Sequence, residues 1–211
     1  MKKTLGVLFA VILVIAFLGC DRPTPTALDF DKIDISQDPV QSPCSSEELI
    51  LQNVKDASFT LTRMAQYQVN GLAISKEYYS EDWDSMISPV DLLMVWGKLA
   101  EGEYGRHITF THGGRWYHYK WKEGSPVDPA YIIAHSSNNH IIPANKNIYR
   151  AVKQIKKKDQ IVLEGFLVNL RGTFKGRPVS WNTSLSRTDT GNGSCEIFYV
   201  SKVRIDMKVY E

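Results

Sequence analysis

Residues 145–171, NKNIYRAVKQIKKKDQIVLEGFLVNLR, decide how the rest of this chain is read. Ile148, Val152 and Ile155 recur at i, i+4 and i+7, a spacing that stacks them on one face of a helix. Lys153, Lys156 and Lys157 fall mainly on the other side. Asn145, two residues after Pro143, has a side-chain oxygen able to accept an orphan N–H of the first turn. Lys153, Lys156, Lys157 and Lys158 close the helix, where the negative end of the macrodipole favours cations. Asp159-Gln160 then turns into residues 161–170, apolar at both parities, which predicts a strand covered on both faces. Gly165 inside it marks a bulge or tight bend. A helix feeding a sharply coiling strand predicts an α+β fold. It would be either a β-rich antiparallel sheet or a partly closed barrel, with two or three short helices.

Working outward, Phe59, Leu61, Ala65, Tyr67 and Val69 share one parity, the pattern of a half-buried antiparallel strand. Asn70-Gly71 is expected to bend or bulge it. Ser88-Pro89-Val90-Asp91 has the chemistry of a helix start. Leu92, Leu93, Val95, Trp96 and Leu99 would follow as a short buried helix. Residues 108–112 and 116–121 flank Gly113-Gly114, a hairpin signal. Residues 128–134 read as a short helix or a buried run. The polar segment 180–194 leads to two final strands, 195–200 and 203–210.

The chain has 211 residues, 43% of them hydrophobic, enough for one domain with a real core. Met1-Lys2-Lys3 opens it and residues 5–18 are apolar apart from glycine. That run is shorter than the roughly 20 residues of a comfortable membrane span and fits a secretory h-region. It ends in Gly19-Cys20-Asp21, which resembles the lipobox of bacterial lipoproteins. The resemblance covers residues 1–20 and departs from the usual pattern at Phe17 and Leu18. It implies export and acylation of Cys20; an uncleaved anchor helix is the alternative. Either way the chain is expected at a bacterial cell membrane with its domain outside the cytoplasm. Residues 1–19 would be the signal or anchor, 20–46 a Pro- and Asp-rich flexible tether, and 47–211 one globular domain.

With Cys20 acylated, Cys44 and Cys195 are left as a disulfide pair for an oxidising compartment. No C-x-x-C and no helical i, i+4 histidine pair is present, so neither a metal nor a cofactor is expected. Charge is split: residues 21–100 carry 6 Lys+Arg against 13 Asp+Glu, and residues 101–211 carry 17 against 10. Packed in one domain, the two halves compensate each other.

All five histidines lie between His107 and His140. His135 and His140, in a polar run with Asn138 and Asn139, are candidates to orient a water or ligand. Ser186, Arg187 and Asp189 add a hydroxyl, a guanidinium and a carboxylate. A hydrolase would use His135, His140, Ser186 and Asp189, but no strand–turn–helix nucleophile elbow surrounds the serine. Trp116 beside Tyr117, Tyr119 and Trp121 offers a stacking surface, and with the basic helix it suggests a nucleic-acid platform. The layout from Phe59 to Tyr210 resembles an OB-type barrel, and residues 135–203 resemble uncharacterised bacterial envelope proteins. An exported chain meets little nucleic acid. The leading expectation is a membrane-tethered binding or scaffolding module with an envelope partner, and Arg187, Asn138, Asn139 and Trp116 as ligand candidates. A hydrolase is the alternative, and an OB-like nucleic-acid module comes after it.

Overall fold

A computed structural model describes residues 22–54, 57–186, 189 and 195–211. The fold is α+β and strand-rich, as the central stretch predicts. Its spine is β4 (Ala57–Tyr78), 22 residues long, which pairs antiparallel with β9 (Gln160–Phe174) along one edge. On the other edge lie, in succession, β3 (Glu48–Val54), β2 (Val40–Ser42) and β5 (Val90–Val95). β5 pairs with β8 (Ser136–Pro143), and β8 runs parallel to β11 (Glu196–Ile205). β11 also pairs with β9, so the sheet curls around its core. It keeps open edges, because β12 (Lys208–Tyr210) and β1 (Ala27–Leu28) extend it past β11 and β10 (Arg177–Trp181) past β9. The expected OB-type barrel is therefore corrected to a partly closed sheet. A barrel abolishes its edges, whereas β4 is too long for that and carries extra strands beyond the curl.

Gly165 is where the curl is tightest. A Cβ there would collide with the Tyr199 carbonyl, and β11 bulges opposite it, between Val200 and Lys202. The bulge lies on the partner strand, and the glycine permits the close approach. Asn70-Gly71 does not bend β4; Gly71 instead admits the Val95 carbonyl, 2.8 Å from where its Cβ would stand.

The helix α3 (Lys146–Gln154) begins as read: the Ile148 amide donates to Asn145 Oδ1 at 2.9 Å. Ile148, Ala151, Val152 and Ile155 seal the inner core with Tyr67, Leu92, Met94, Leu163 and Phe198. Its C-terminal carbonyls receive Lys76, whose Nζ donates to Val152, Lys153 and Ile155. A helix α2 (Pro129–Ala134) starts at Asp128, which accepts from the Tyr131 amide at 2.7 Å. A four-residue helix, α1 (Gly102–Gly105), precedes the hairpin of β6 (Ile108–Gly113) and β7 (Trp116–Trp121).

Three assignments change. Residues 90–95, expected in a helix, form β5, and all six are buried. A short apolar run covered on both faces has no decisive period, and Gly97, at φ +58°, stops it. Residues 136–143, read partly as a polar loop, form β8. Residues 22–46, assigned by composition to a tether, lie along the sheet: β1 pairs with β12, Ile33 is buried, and Trp96 Nε1 donates to Asp38.

Cys44 and Cys195 are free thiols, which corrects the expected disulfide. Cys44 sits between β2 and β3 beside β4, and Cys195 just before β11, so β4 and β9 intervene in the strand order. Cys20 lies outside the described residues.

Candidate functional site

β5 and β8 are buried on both sides, and the two sides differ. Alternation sends Val90, Leu92 and Met94 inward, and Asp91 outward with Asn138 and His140 of the neighbouring strand. The hairpin β6–β7, the 3₁₀ turn Trp83–Met86 and the end of β10 cover that outer face. Asp91, whose side chain is 0% exposed, is its centre. Its Oδ1 receives His140 Nδ1 at 2.8 Å and Arg115 Nη1 at 2.7 Å. Arg115 also reaches Asp84 Oδ2 through Nε at 3.2 Å and lies 3.9 Å over the Tyr79 ring. Its carbonyl accepts Asn138 Nδ2 at 3.0 Å. Arg115 is placed by the turn itself: Gly114 and Arg115 both have positive φ, and the Arg115 amide donates to the Tyr79 hydroxyl.

Burial raises the Asp91 pKa, but the hydrogen bond and charge of His140, then Arg115, outweigh it and hold the carboxyl below its ordinary value. An ionised carboxylate only accepts hydrogen bonds, so His140 Nδ1 carries a proton toward it.

Above this network opens a cleft of about 180 Å³, lined by Trp83, Asp84, Arg115, Trp116, His140 and Trp181, with Cys195 against it. Trp181 lies 4.5 Å from the His140 ring and 6.3 Å from Trp83, nearly edge-on to the latter. Three atoms of the network are buried without a hydrogen-bond partner: Arg115 Nη2, Asp84 Oδ1 and Asn138 Oδ1. Burial, with help from Glu196, Asp91 and Asp189, pushes the Cys195 thiol up to about 12. It is therefore neutral and a poor nucleophile. Beneath the hairpin, His112 Nδ1 meets Ser75 Oγ at 3.0 Å, and burial lowers the pKa of this ring.

The residues singled out from the sequence divide. His140 and Trp116 line the cleft, and Asn138 joins the buried network through the Arg115 carbonyl. His135 does not: five residues away along an extended strand is about 17 Å. There it stacks on Tyr131 at 3.7 Å, with Nε2 3.5 Å from Asp38. Asn139 points to the inner side, donating to the Leu92 carbonyl. Asp189 accepts from Ser184 Oγ at 2.6 Å, and the Ser186 amide donates to the same hydroxyl. That loop neighbours Cys195. Arg187 lies outside the described residues. Tyr117 and Tyr119 are partly buried, while Trp116 and Trp121 are exposed. The lysine helix is on the other side of the sheet: adjacent residues of β4, Ser75 and Lys76, hold the hairpin and α3 respectively.

Sequence reasoning missed Asp84, Asp91, Arg115 and Trp181. A signal for Asp91 was present, because an acid inside the apolar run VDLLMV is a charge that burial must pair. Arg115 and Trp181 carry no such mark. Among the described residues no cluster of three or more His, Cys, Asp or Glu is arranged to hold a metal. No protein-family model, no curated protein and no solved structure matches this chain, so no relative stands behind its resemblance to lipoprotein leaders, OB-type barrels or envelope proteins.

Proposed function

We propose that this chain is a membrane-tethered extracytoplasmic binding protein whose ligand is a small uncharged polar molecule held in the Trp83–Arg115–Trp181 cleft. The tether is argued from the cationic start, the apolar residues 5–18 and Cys20. Among the described residues no helix is long and apolar enough to cross a membrane. One observation carries the binding reading: Arg115 Nη2 and Asp84 Oδ1, a donor and an acceptor, are buried unpaired beside a cleft walled by indoles. Such a pair calls for a ligand, or ordered water, offering one acceptor and one donor. Arg115 is already ion-paired with both Asp91 and Asp84, which disfavours an anion. The indoles favour a molecule with an apolar face. Hydroxyl- or amide-bearing rings meet all three conditions.

Titrating the isotopically labelled protein with N-acetylglucosamine, glycerol, glutamate and inorganic phosphate tests this by NMR. Saturable shifts of the Trp83 and Trp181 indole N–H signals with the uncharged probes, weakened by Asp84→Asn, are expected. Preference for glutamate or phosphate, or shifts centred away from the cleft, would overturn it. A hydrolase reading keeps one observation, the buried Asp91–His140 pair, with His140 Nε2 as base. Ester turnover lost in His140→Gln while the fold is retained would favour it.

A further inference from the structure

The corner where β1 meets the β11–β12 turn displays three large apolar side chains: Leu28 is 56% exposed, Phe30 76% and Met207 47%. They are neighbours, since Leu28 pairs with Lys208 and the Asp29 amide donates to the Met207 carbonyl. The corner is also held rigidly. Arg204, largely buried, reaches Asp29 Oδ2 at 2.5 Å, the Asp29 and Asp31 carbonyls, and the Asp206 carbonyl. The guanidinium thus clamps the backbone on both sides of Phe30 and of the turn that carries Met207. A core residue does not need such display, and a mobile tether does not need such a clamp.

We infer that Leu28, Phe30 and Met207 form a membrane-contacting edge that seats the domain on the bilayer holding its apolar leader. The inference rests on the tethered reading above. What selects the bilayer as occupant is the length of chain outside the described structure and where it ends. The apolar run stops at Leu18, and by Thr24 the backbone is fixed to the domain: its amide donates to Asn147 Oδ1 at 2.8 Å, and Asn147 Nδ2 returns a bond to the Thr24 carbonyl at 2.9 Å. Six residues span at most about 21 Å even when fully extended. The face that carries Thr24, β1 and β12 is therefore kept beside the headgroups. Aromatic and aliphatic side chains displayed at that depth partition into the headgroup–acyl boundary. Lys208, which pairs with Leu28, can meet lipid phosphates while the aliphatic part of its side chain lies along the surface.

The full chain is reconstituted into phosphatidylcholine–phosphatidylglycerol vesicles whose acyl chains carry bromine near the headgroup. Flotation reports the tether, and quenching of the extra indole emission in F30W reports the edge. We expect flotation, and quenching of that added emission at least twofold stronger than that of the native tryptophans. Amide exchange in the unsubstituted chain, slowed at residues 28–30 and 206–208 in vesicles relative to detergent, gives the same answer without a variant. Flotation with unquenched F30W emission and unprotected amides overturns the edge and leaves the tether standing. Failure to float overturns both. Protection that scales with protein density, without quenching, assigns the patch to a second copy and also overturns it.

Discussion

The two faces of β5 and β8 are equally dry and chemically opposite. Inward, Leu92, Met94 and Ile141 pack against Tyr67, Leu163 and α3. Outward, one strand-width away, Asp91 holds His140 and Arg115, and Arg115 holds Asp84. The inner face stabilises through apolar burial, about 25 cal/mol per Å². The outer face takes charges out of water, and its attraction only roughly repays that desolvation. A protein that needed only a covered sheet would have placed leucine or valine where Asp91 stands. The contrast teaches that stability and site chemistry share one pair of strands, divided by side-chain parity.

Breaking the ionic side at its centre has the largest expected effect. Asp91→Ala strands a buried guanidinium beside an imidazole that has lost its acceptor, and should cost ~3–5 kcal/mol. Urea denaturation followed by tryptophan emission measures it. A loss below about 1 kcal/mol would mean that the outer face is hydrated and the contrast is false. On the inner side, Met94→Ala removes a side chain that is 0% exposed and should cost ~2–4 kcal/mol, with the cleft left intact. If Met94→Ala weakened ligand binding as much as Asp84→Asn does, the faces would not be separable.

This division also explains what could be read from the sequence. The inner face was legible wherever a period repeats: Tyr67 and Val69 on β4, Ile148 and Val152 on α3, and the Asn145 cap all stand as their spacing implies. β5 was misread because VDLLMV is covered on both sides, and a run without alternation carries no helix-or-strand signature. The cleft was mostly illegible. Asp84 and Asp91 are near in sequence, but Arg115 and Trp181 are distant from them and from each other, and the four meet only because a hairpin folds over the sheet. His135 and His140 looked like one group because they are near in sequence, yet an extended strand carries them apart. Cys44 and Cys195 looked like a pair only by elimination, and both are free.

Acid should resolve two groups of the outer face without mutation, because His112 and Asp91 both lie beneath the hairpin. Burial places the His112 pKa below 6.5, so the unfolded chain takes up that proton first. The stability it contributes is full above 6.5 and falls as pH drops from there toward its folded value. The Asp91 pKa lies below 3.8, so its contribution is full above 3.8 and is lost only as pH falls further. Urea midpoints from about pH 7.5 to about pH 3 should therefore decline in two stages. His112→Asn should abolish the first stage and spare the second. A single stage shared by both proteins would assign the early loss to another group.

Removing the helix cap is milder and touches neither face of β5. Asn145→Ala leaves the Ile148 amide without its side-chain acceptor and should cost ~1 kcal/mol. Asn145→Ser should restore most of it.

The smallest stability loss is expected from the most drastic change to the outer face. Replacing Asp91, His140 and Arg115 together by Leu, Leu and Met removes the three groups at the centre of the network at once and leaves of the ionic group only Asp84, whose side chain is 18% exposed. Apolar replacements of such groups are often neutral or stabilising, by ~1–4 kcal/mol. The triple variant should therefore unfold no more easily than the unsubstituted chain, while Asp91→Ala alone unfolds far more easily. It should also lose the saturable indole shifts expected with N-acetylglucosamine, because Arg115 no longer lines the cleft. Equal or greater stability with binding abolished would mean that the charges are kept for what they hold and not for the fold. Binding retained at full strength would move the ligand away from this cleft and leave the ionic face without a task.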